Sequence, residues 1–415
     1  MVILDLDNLT DGDRFVLDRL RESGEAWIVG GWVRDQLSGA KPEELDIATN
    51  LKPAEVKAIF PRSIMVGEKY GTVRVRIDES IDEGTIWEVT TLRKDGGYGD
   101  GRRPDNVDFG TNIENDLSRR DFTINAMAIG ENGRIIDPNG GREDLASGIV
   151  RSVGDAQERI GEDGLRLIRA FRFLDQGGSE IRELDRDLSV AISSNLEMLD
   201  RISKERIWSE LKLILSGKNS SAVVQIMQEH RVMDAILDGI TCNLDVGLSG
   251  NYCVNLALIC SDDVRSGPDL SKLLAERLRI SKDEGGAISF LHGCRRLDLD
   301  RSEGSIRRFR AALPPFRQNE VLEYLAGLGR DTAQFERSLS SLDELRAGNA
   351  PLVDGITLSS RTGLNPGRRL GRLKGWLHRI QIEEDIAEAD EVLSRLGAIT
   401  WEDSDPEKWP ILSWP

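Results

Sequence analysis

The chain is 415 residues long, more than one ordinary hydrophobic core supports, so two to four domains are expected. Its 39% hydrophobic and 31% charged residues have the balance of a soluble globular protein, and no apolar run approaches the ~20 residues that span a bilayer. The formal charge of −17 argues against a polyanion as partner, although arginines cluster locally. The opening MVILDLDNLTDGDRF lacks the basic-then-apolar layout of a signal peptide, which makes the cytoplasm the expected location.

Residues 1–26 read as a helix with Phe15, Leu17 and Leu20 on its apolar side. The stretch WIVGGWVRDQLSGAKPEELDIAT at 27–49 then reads as a short strand, a Gly30-Gly31 turn, and a helix opening at Trp32 that carries Arg34 and Asp35. A loop with Pro42 leads to a second strand that delivers Glu44 and Asp46. Two glycines let backbone N–H groups approach a phosphate, and a helix N-terminus favours an anion there. Carboxylates at i and i+2 of a strand share a face, spaced to hold a divalent cation. Gly-Gly or ExD alone is commonplace; in this order they are the equipment for transferring a nucleotidyl group.

KPAEVKAIF starts a helix with Pro53 in its first turn. Residues 64–66, 72–77 and 86–91 read as strands, with Val73, Val75 and Ile77 alternating with Arg74 and Arg76, and 72–91 as a hairpin. Glu88 is either a third carboxylate for the metal site or a charge on the solvent side of its strand. Residues 93–112, RKDGGYGDGRRPDNVDFGTN, form a long loop of the kind that is usually functional or mobile. IENDLSRRDFTINAMAI returns to helical periodicity, with Arg119, Arg120 and Asp121 at the helix start. Asp121 is an N-cap or a sugar contact, and Asn125 lies one turn further on the same face, in reach of a ribose hydroxyl. RIIDPNGG closes an α+β region at about residue 138 with a strand and turn.

Beyond Gly141 strand signals almost disappear. EDLASGIVRSV, AQERIGEDGLRLIRAFRFL, DLSVAISSNLEML, SKERIWSELKLIL and SAVVQIMQEHRVMDAIL read as amphipathic helices, further helices run to about residue 396, and WEDSDPEKWPILSWP is extended. In EDGLRLIRAFRF, Asp163 and Arg166 stand one turn apart, with Arg169 and Arg172 following. The plain reading is a Glu162–Arg166 ion pair worth about 0.3–0.5 kcal/mol. The functional reading is an acceptor and a fork-shaped donor for a base edge, with the later arginines on a triphosphate. Ser203 caps a helix in which Arg206 and Trp208 have structural roles. The basic clusters Arg102 and Arg103, Arg119 and Arg120, Arg307, Arg308 and Arg310, and GRRLGRLKGWLHR at 367–379 read singly as solvated faces and together permit an RNA-binding stripe. Cys242, Cys253, Cys260 and Cys294 include no CxxC pair, and His230, His292 and His378 are scattered. Isolated buried thiols are expected rather than a zinc site or a disulfide framework, and no H…HD phosphohydrolase spacing occurs.

The blocks GGWVRD, ELDIAT, VGEKYGTV, EVTTLR, DGGYGDGRRPD, DLSRRDFTINAMA, DPNGGREDL, GEDGLRLIRAFRF and SKERIWSEL, in this order over roughly 27–215, resemble the class II tRNA nucleotidyltransferases, the CCA-adding branch of the nucleotidyltransferase and poly(A) polymerase superfamily. DGITLSSRTGLNPGRRLGRL resembles the family's distal region more weakly. The resemblance implies an α+β head with a mixed or antiparallel sheet (1–138), then an all-α neck with a base-selecting helix (139–217), body (218–345) and tRNA-binding tail (346–415). It implies template-independent addition of C, C and A to the tRNA 3′ end from CTP and ATP, with Mg²⁺ in a two-metal mechanism. The partner is tRNA, held at its acceptor end and elbow; no membrane and no protein partner are implied.

Carried over by position, Glu44 and Asp46 would hold the metals, with Glu88 as third carboxylate. Gly30, Gly31, Arg34 and Asp35 would serve the triphosphate, and Arg120, Asp121 and Asn125 the triphosphate or ribose. Asp163 and Arg166 would pair with the incoming base, supported by Arg169 and Arg172, and the 93–110 loop would serve addition of the final A. The family's metal motif is DxD, and this chain departs from it at Glu44, whose extra methylene moves the carboxylate by about 1.5 Å. The alternatives are an A-adding or CC-adding enzyme, a poly(A) polymerase, or a catalytically impaired RNA-binding homologue.

Overall fold

A computed structural model describes residues 6–42, 44–66, 71–77, 84–95, 107–109, 112–176 and 180–415. They fall into two compact units, one within Met1–Gly239 with Leu274–Ile280, the other within Ile240–Leu273 with Ser281–Pro415.

The first unit opens with α1 (Asp11–Arg21), β1 (Ala26–Val29), α2 (Gly31–Leu37), β2 (Asp46–Thr49), α3 (Pro53–Ile59), β3 (Ile64–Met65), β4 (Thr72–Val75) and β5 (Trp87–Thr91). It continues with β6 (Arg93–Asp95), β7 (Val107–Phe109), α4 (Ile113–Ser118), β8 (Ala128–Ile129) and β9 (Ile135–Ile136). The main sheet runs β3-β4-β5-β2-β1-β8-β9. Only β2 and β5 pair in parallel; the other described pairs of this sheet are antiparallel.

Strand alternation sorts the side chains into two faces. Ile28, Ile47, Val73, Val75, Trp87 and Val89 pack against Val16, Leu17 and Leu20 of α1 and Val56 of α3. Trp27, Val29 and Ala48 face the other way, toward Ile113 and Leu117 of α4. Asp46 and Glu88 share the parity of that second face. Helix α1 is closed by a Thr10–Asp13 capping box. Asp13 Oδ1 also accepts the indole N–H of the buried Trp87 at 2.7 Å, which pins the strand that carries Glu88.

Beyond the head come α5 (Gly141–Ala146), β10 (Ile149–Val150), α6 (Ala156–Glu162), α7 (Leu165–Leu174), β11 (Glu183–Leu184), α8 (Arg186–Ser194), α9 (Lys204–Leu215), α10 (Ser220–Glu229) and α11 (Val232–Ile236). The chain then forms α12 (Tyr252–Ile259), α13 (Gly267–Leu278), α14 (Lys282–Gly293), α15 (Glu303–Ala312), α16 (Pro315–Gly327), α17 (Ala333–Ser340), α18 (Gly355–Thr362), α19 (Arg368–Glu384) and α20 (Ala389–Ser394).

Several expectations need correction. Glu44 is not on β2: the ladder starts at Asp46, which pairs with Val29, the last residue of β1 before the Gly30 turn, so Glu44 has no partner strand. The supposed 93–112 loop is tied at its ends by an antiparallel β6–β7 ribbon with Arg93 opposite Phe109; its tip, including Arg102 and Arg103, lies outside the described residues. Helical periodicity at 113–129 stops at Ser118 because Phe122, Ile124, Ala126, Met127 and Ala128 are all buried, which one helical stripe does not allow. A short 3₁₀ turn (Thr123–Asn125) and β8 follow instead. EDLASGIVRSV ends in β10, which pairs in parallel with β11. AQERIGEDGLRLIRAFRFL breaks into α6 and α7 where Asp163 is extended and Gly164 packs so closely that a Cβ there would lie 2.8 Å from the Met198 carbonyl oxygen.

Candidate active site

Parallel pairing of β2 with β5 sets Asp46 directly beside Glu88. Burial raises the Asp46 pKa above the usual carboxylate range; Arg120 opposes this, while the charges of Glu88 and Glu44 add to it. Glu88 accepts from Arg74 Nε at 3.0 Å across the β4–β5 ladder. Gly30 completes this corner: it has φ +74°, and a Cβ on it would sit 3.1 Å from Arg120 Nη1 and 3.4 Å from Asp46 Oδ2. A side chain there would be strained and would press on both groups.

A cleft of about 470 Å³ opens in front of the pair, lined from the sheet by Val29, Asp46, Thr72, Glu88 and Thr90. Its other walls are Arg93, Arg119, Arg120 and Asp121, then Asp163, Arg166 and Arg169 from the α6–α7 junction, and Arg206 from α9. Six arginines against four carboxylates give this cleft a positive surplus inside a chain of charge −17. Glu44, with Lys41, Trp32 and Arg74, lines an adjoining cleft of about 560 Å³ that Asp46 and Glu88 also line.

Asp121 does not open a helix. Its Oδ1 accepts from the Phe122 amide at 2.9 Å and from Asn125 Nδ2 at 3.5 Å. Its Oδ2 accepts from Arg169 Nε at 2.9 Å and Nη2 at 2.6 Å. Burial alone would raise its pKa, but the Arg169 charge and hydrogen bonds outweigh that and hold it below the usual range. Arg169 is correspondingly held protonated: burial disfavours its charge, and Asp121 more than compensates.

Asp163 ends α6 and accepts from Arg206 Nη2 at 2.9 Å and Nη1 at 3.4 Å. Arg166 donates from Nη1 to Glu162 at 2.5 Å and to the Arg159 carbonyl at 2.9 Å, and from Nη2 to the Arg119 carbonyl at 3.1 Å. The Glu162–Arg166 ion pair is therefore present, across the helix break, and Arg166 still lines the cleft.

Arg34, Asp35, Asn125 and Arg172 are not among the cleft-lining groups. Arg34 is 3% exposed; it donates to Asp35 at 2.8 and 2.9 Å and to Asn125 Oδ1 at 2.7 Å. Asn125 is thus a buried link between Arg34 and Asp121 rather than a group presented to solvent. The guanidinium carbons of Arg34, Arg169 and Arg172 lie 5.3, 5.2 and 4.5 Å from the Phe173 ring centre. Gly31 lies beside this cluster, 3.5 Å from Arg34 Nη2 for a built Cβ.

Arg206, expected to have a structural role, lines the cleft. The signal was available: Arg206 and Glu210 are four apart on α9 and share a face. Glu210 pairs with Arg172 at 3.0 Å and Arg169 at 3.5 Å, so one face of α9 holds both ends of the Asp163–Arg172 stretch. The distal basic clusters are largely occupied within the chain. Arg307 pairs with Glu303, Arg308 with Glu383, and Arg310 donates to the Leu342 and Asp343 carbonyls. The four cysteines are free thiols, and burial pushes Cys253 up to about 11 and Cys294 up to about 12. Among the described residues no helix is long and apolar enough to cross a membrane.

Comparison with known proteins fits this geometry. Residues 26–151 match the poly A polymerase head domain, and 183–243 match a segment described as "Probable RNA and SrmB- binding site of polymerase A". The CCA-adding enzyme of Geobacillus thermodenitrificans is 46% identical over 209 residues, 50% of each chain. That of Geobacillus stearothermophilus is 42% identical over 226 residues, 54% of each chain. The chain spans about half the length of the curated relatives it matches. A crystal structure of Bacillus stearothermophilus CCA-adding enzyme in complex with CTP superposes with a TM-score of 0.70 at 26% identity, covering 92% of this chain and 96% of that one. The Thermotoga maritima CCA-adding enzyme complexed with tRNA shares the fold, with a TM-score of 0.66 at 20% identity and coverage of 96% and 99%.

Sheet, Gly-Gly turn and paired carboxylates lie within the residues that match the poly A polymerase head domain. The CCA-adding enzymes are the proteins this chain resembles, in sequence over about half its length and in fold over 92% of it.

Proposed function

We propose that this protein adds C, C and A to the 3′ end of tRNA from CTP and ATP without a nucleic-acid template. The observation that carries the reading is the pairing of Asp46 with Glu88 at the mouth of a cleft whose far wall holds Asp163 and Arg166. A carboxylate pair suits transfer at phosphorus, and a carboxylate beside a guanidinium suits reading a base edge.

The donor set fits Mg²⁺: both groups are hard oxygen donors, and the burial that chiefly raises the Asp46 pKa, with the charges of Glu88 and Glu44 adding to it, disfavours a bare carboxylate that a divalent cation would neutralise. Asp46 and Glu88 would hold it, with Glu44 approaching from the neighbouring cleft. When bound, it supplies charge neutralisation at the α-phosphate and acidifies the attacking hydroxyl.

The chain's own groups then have separable tasks. Gly30 and Gly31 leave room for phosphate oxygens near backbone N–H groups. Arg120 and Arg169 face the cleft as counter-charges for the triphosphate. Arg34 and Asn125 hold the Asp121 turn, with Asp35 fixing Arg34, and Arg172 ties α7 to Glu210 of α9. Asp163, fixed by Arg206, and Arg166 present an acceptor and donors to the incoming base. The 3′-hydroxyl oxygen displaces pyrophosphate from the α-phosphorus, one P–O bond forming as the other breaks. The head, neck, body and tail division at 138, 217 and 345 belongs to the same reading.

The test is incorporation with purified full-length chain and Mg²⁺, on tRNA transcripts lacking CCA and on transcripts ending in CC. Growth by three nucleotides on the first and one on the second is expected. Extension of only the CC-ended transcript would indicate an A-adding enzyme, and no extension of either would overturn the enzyme reading.

A further inference from the structure

The basic run at 367–379 lies on α19, and an acidic segment of the same chain lies across it. Residues 401–409, WEDSDPEKW, carry four carboxylates against one lysine. Arg368 Nη2 pairs with Glu407 at 2.6 Å. Arg369 Nη2 donates to the carbonyls of Trp401 at 3.1 Å and Glu402 at 2.6 Å. Arg372 donates to the carbonyls of Pro406 at 3.0 Å, Glu407 at 2.7 Å and Trp409 at 3.0 Å.

The segment is seated firmly. Trp409 is 3% exposed, stacks near Trp376 at 5.9 Å, and donates its indole N–H to Ser404 at 2.7 Å. Gly375 forms a notch for the following residues: a Cβ there would lie 2.9 Å from Ile411. The carboxylates of Glu402, Asp403 and Glu407 remain exposed, and so does the Arg368 side chain, at 80%. Arg372, Trp409 and Gly375 thus anchor the strap, while exposed arginine and exposed carboxylate sit side by side along its edge.

We propose that the Arg368 and Arg369 edge of α19 is a contact surface for an RNA phosphate backbone, and that the acidic strap 402–407 is a built-in competitor that weakens this contact. The inference rests on the reading that the protein acts on tRNA. A phosphodiester oxygen and the Glu407 carboxylate ask for the same Arg368 donors, and the strap carbonyls hold those of Arg369. The fixed negative charge beside them repels a polyanion over roughly one Debye length, ~10 Å at 0.1 M salt. An RNA-handling chain of charge −17 thereby keeps its substrate contact weak and its product release fast.

The test uses the full chain and a labelled tRNA transcript lacking CCA, comparing the wild type with Glu402→Gln/Asp403→Asn/Glu407→Gln, which keeps the backbone carbonyls, Trp409 and Asp405. The triple variant should bind about three- to tenfold more tightly at low salt, with a steeper salt dependence. Adding Arg368→Gln/Arg369→Gln should abolish the gain. Unchanged or weaker affinity in a variant that melts like the wild type overturns the proposal, as does a gain that survives loss of both arginines. Nucleotide incorporation is read in parallel. Tighter binding without incorporation in either form would sink the enzyme reading and leave the strap standing, and incorporation without the affinity gain would do the reverse.

Discussion

Asp46 and Glu88 stand side by side on the parallel strands β2 and β5, although 42 positions separate them in the chain (88 minus 46). Each is the outward neighbour of a core residue: Ile47 and Val89 turn into the apolar layer, and the two carboxylates turn toward the cleft. Replacing Asp46 by Ala should lower incorporation by at least about a thousandfold and leave tRNA affinity within about twofold, as the proposed role at the transferred phosphate requires. Glu88→Gln, which keeps shape and loses charge, should cost about ten- to a hundredfold. Single-turnover incorporation together with filter binding checks both, and a matching fall in tRNA affinity would contradict the assignment.

Arg206 fixes Asp163 through two hydrogen bonds from another helix. Arg206→Ala should loosen Asp163, so the proposed preference for CTP and ATP over UTP and GTP falls by about tenfold, while Arg206→Lys restores part of it. The measured quantity is the ratio of kcat/KM values for the four nucleotides. An unchanged ratio with a uniform loss of rate would assign Arg206 a purely structural role.

The Asp121–Arg169 pair makes an acid-stability prediction. The folded-state pKa of Asp121 lies below its unfolded value, so its contribution is present above the ordinary carboxylate pKa and is lost as pH falls through the folded value. Asp121→Asn should cost about 2 kcal/mol near neutral pH and little at the acid end, where the wild type has already lost the interaction. Urea melts of both forms across the acid range would show the two stability curves converging. A constant gap would refute the assignment.

Trp87 and Asp13 offer a packing test. Trp87→Phe leaves the ring volume largely filled but removes the donor to a nearly buried carboxylate oxygen. Destabilisation of about 1–3 kcal/mol is expected, with a fall in kcat as β5 and Glu88 lose an anchor. Thermal melting and kcat measured on the same preparation test the coupling.

Gly30→Ala forces a Cβ into a conformation at φ +74°, 3.1 Å from Arg120 Nη1. It should cost about 1–2 kcal/mol in strain and raise the nucleotide KM more than it lowers tRNA affinity. Equal effects on both substrates would place the defect in the head as a whole.

Much of this protein follows from local sequence. The Gly30-Gly31 turn, the alternation of Val73 and Val75 with Arg74, and the helices beyond residue 185 rest on short-range sterics and hydrogen bonding, which leave a signature within a few residues. The motif order was enough to carry the resemblance to the nucleotidyltransferases and to collect Asp46, Arg120, Asp121, Asp163, Arg166 and Arg169, all of which meet at one cleft. Tertiary structure alone decided the partners. The parallel β2–β5 pairing sets Glu88 directly beside Asp46, because a strand is in register with its neighbour in space and not in sequence. Burial of Phe122 and Ile124 overrode helical periodicity and turned Asn125 inward to Arg34. The fit of Gly164 against Met198 broke a continuous helix, so that Asp163 reached Arg206. A charge pattern records which residues are ionised; which oppositely charged group each one meets is settled by packing over the whole chain.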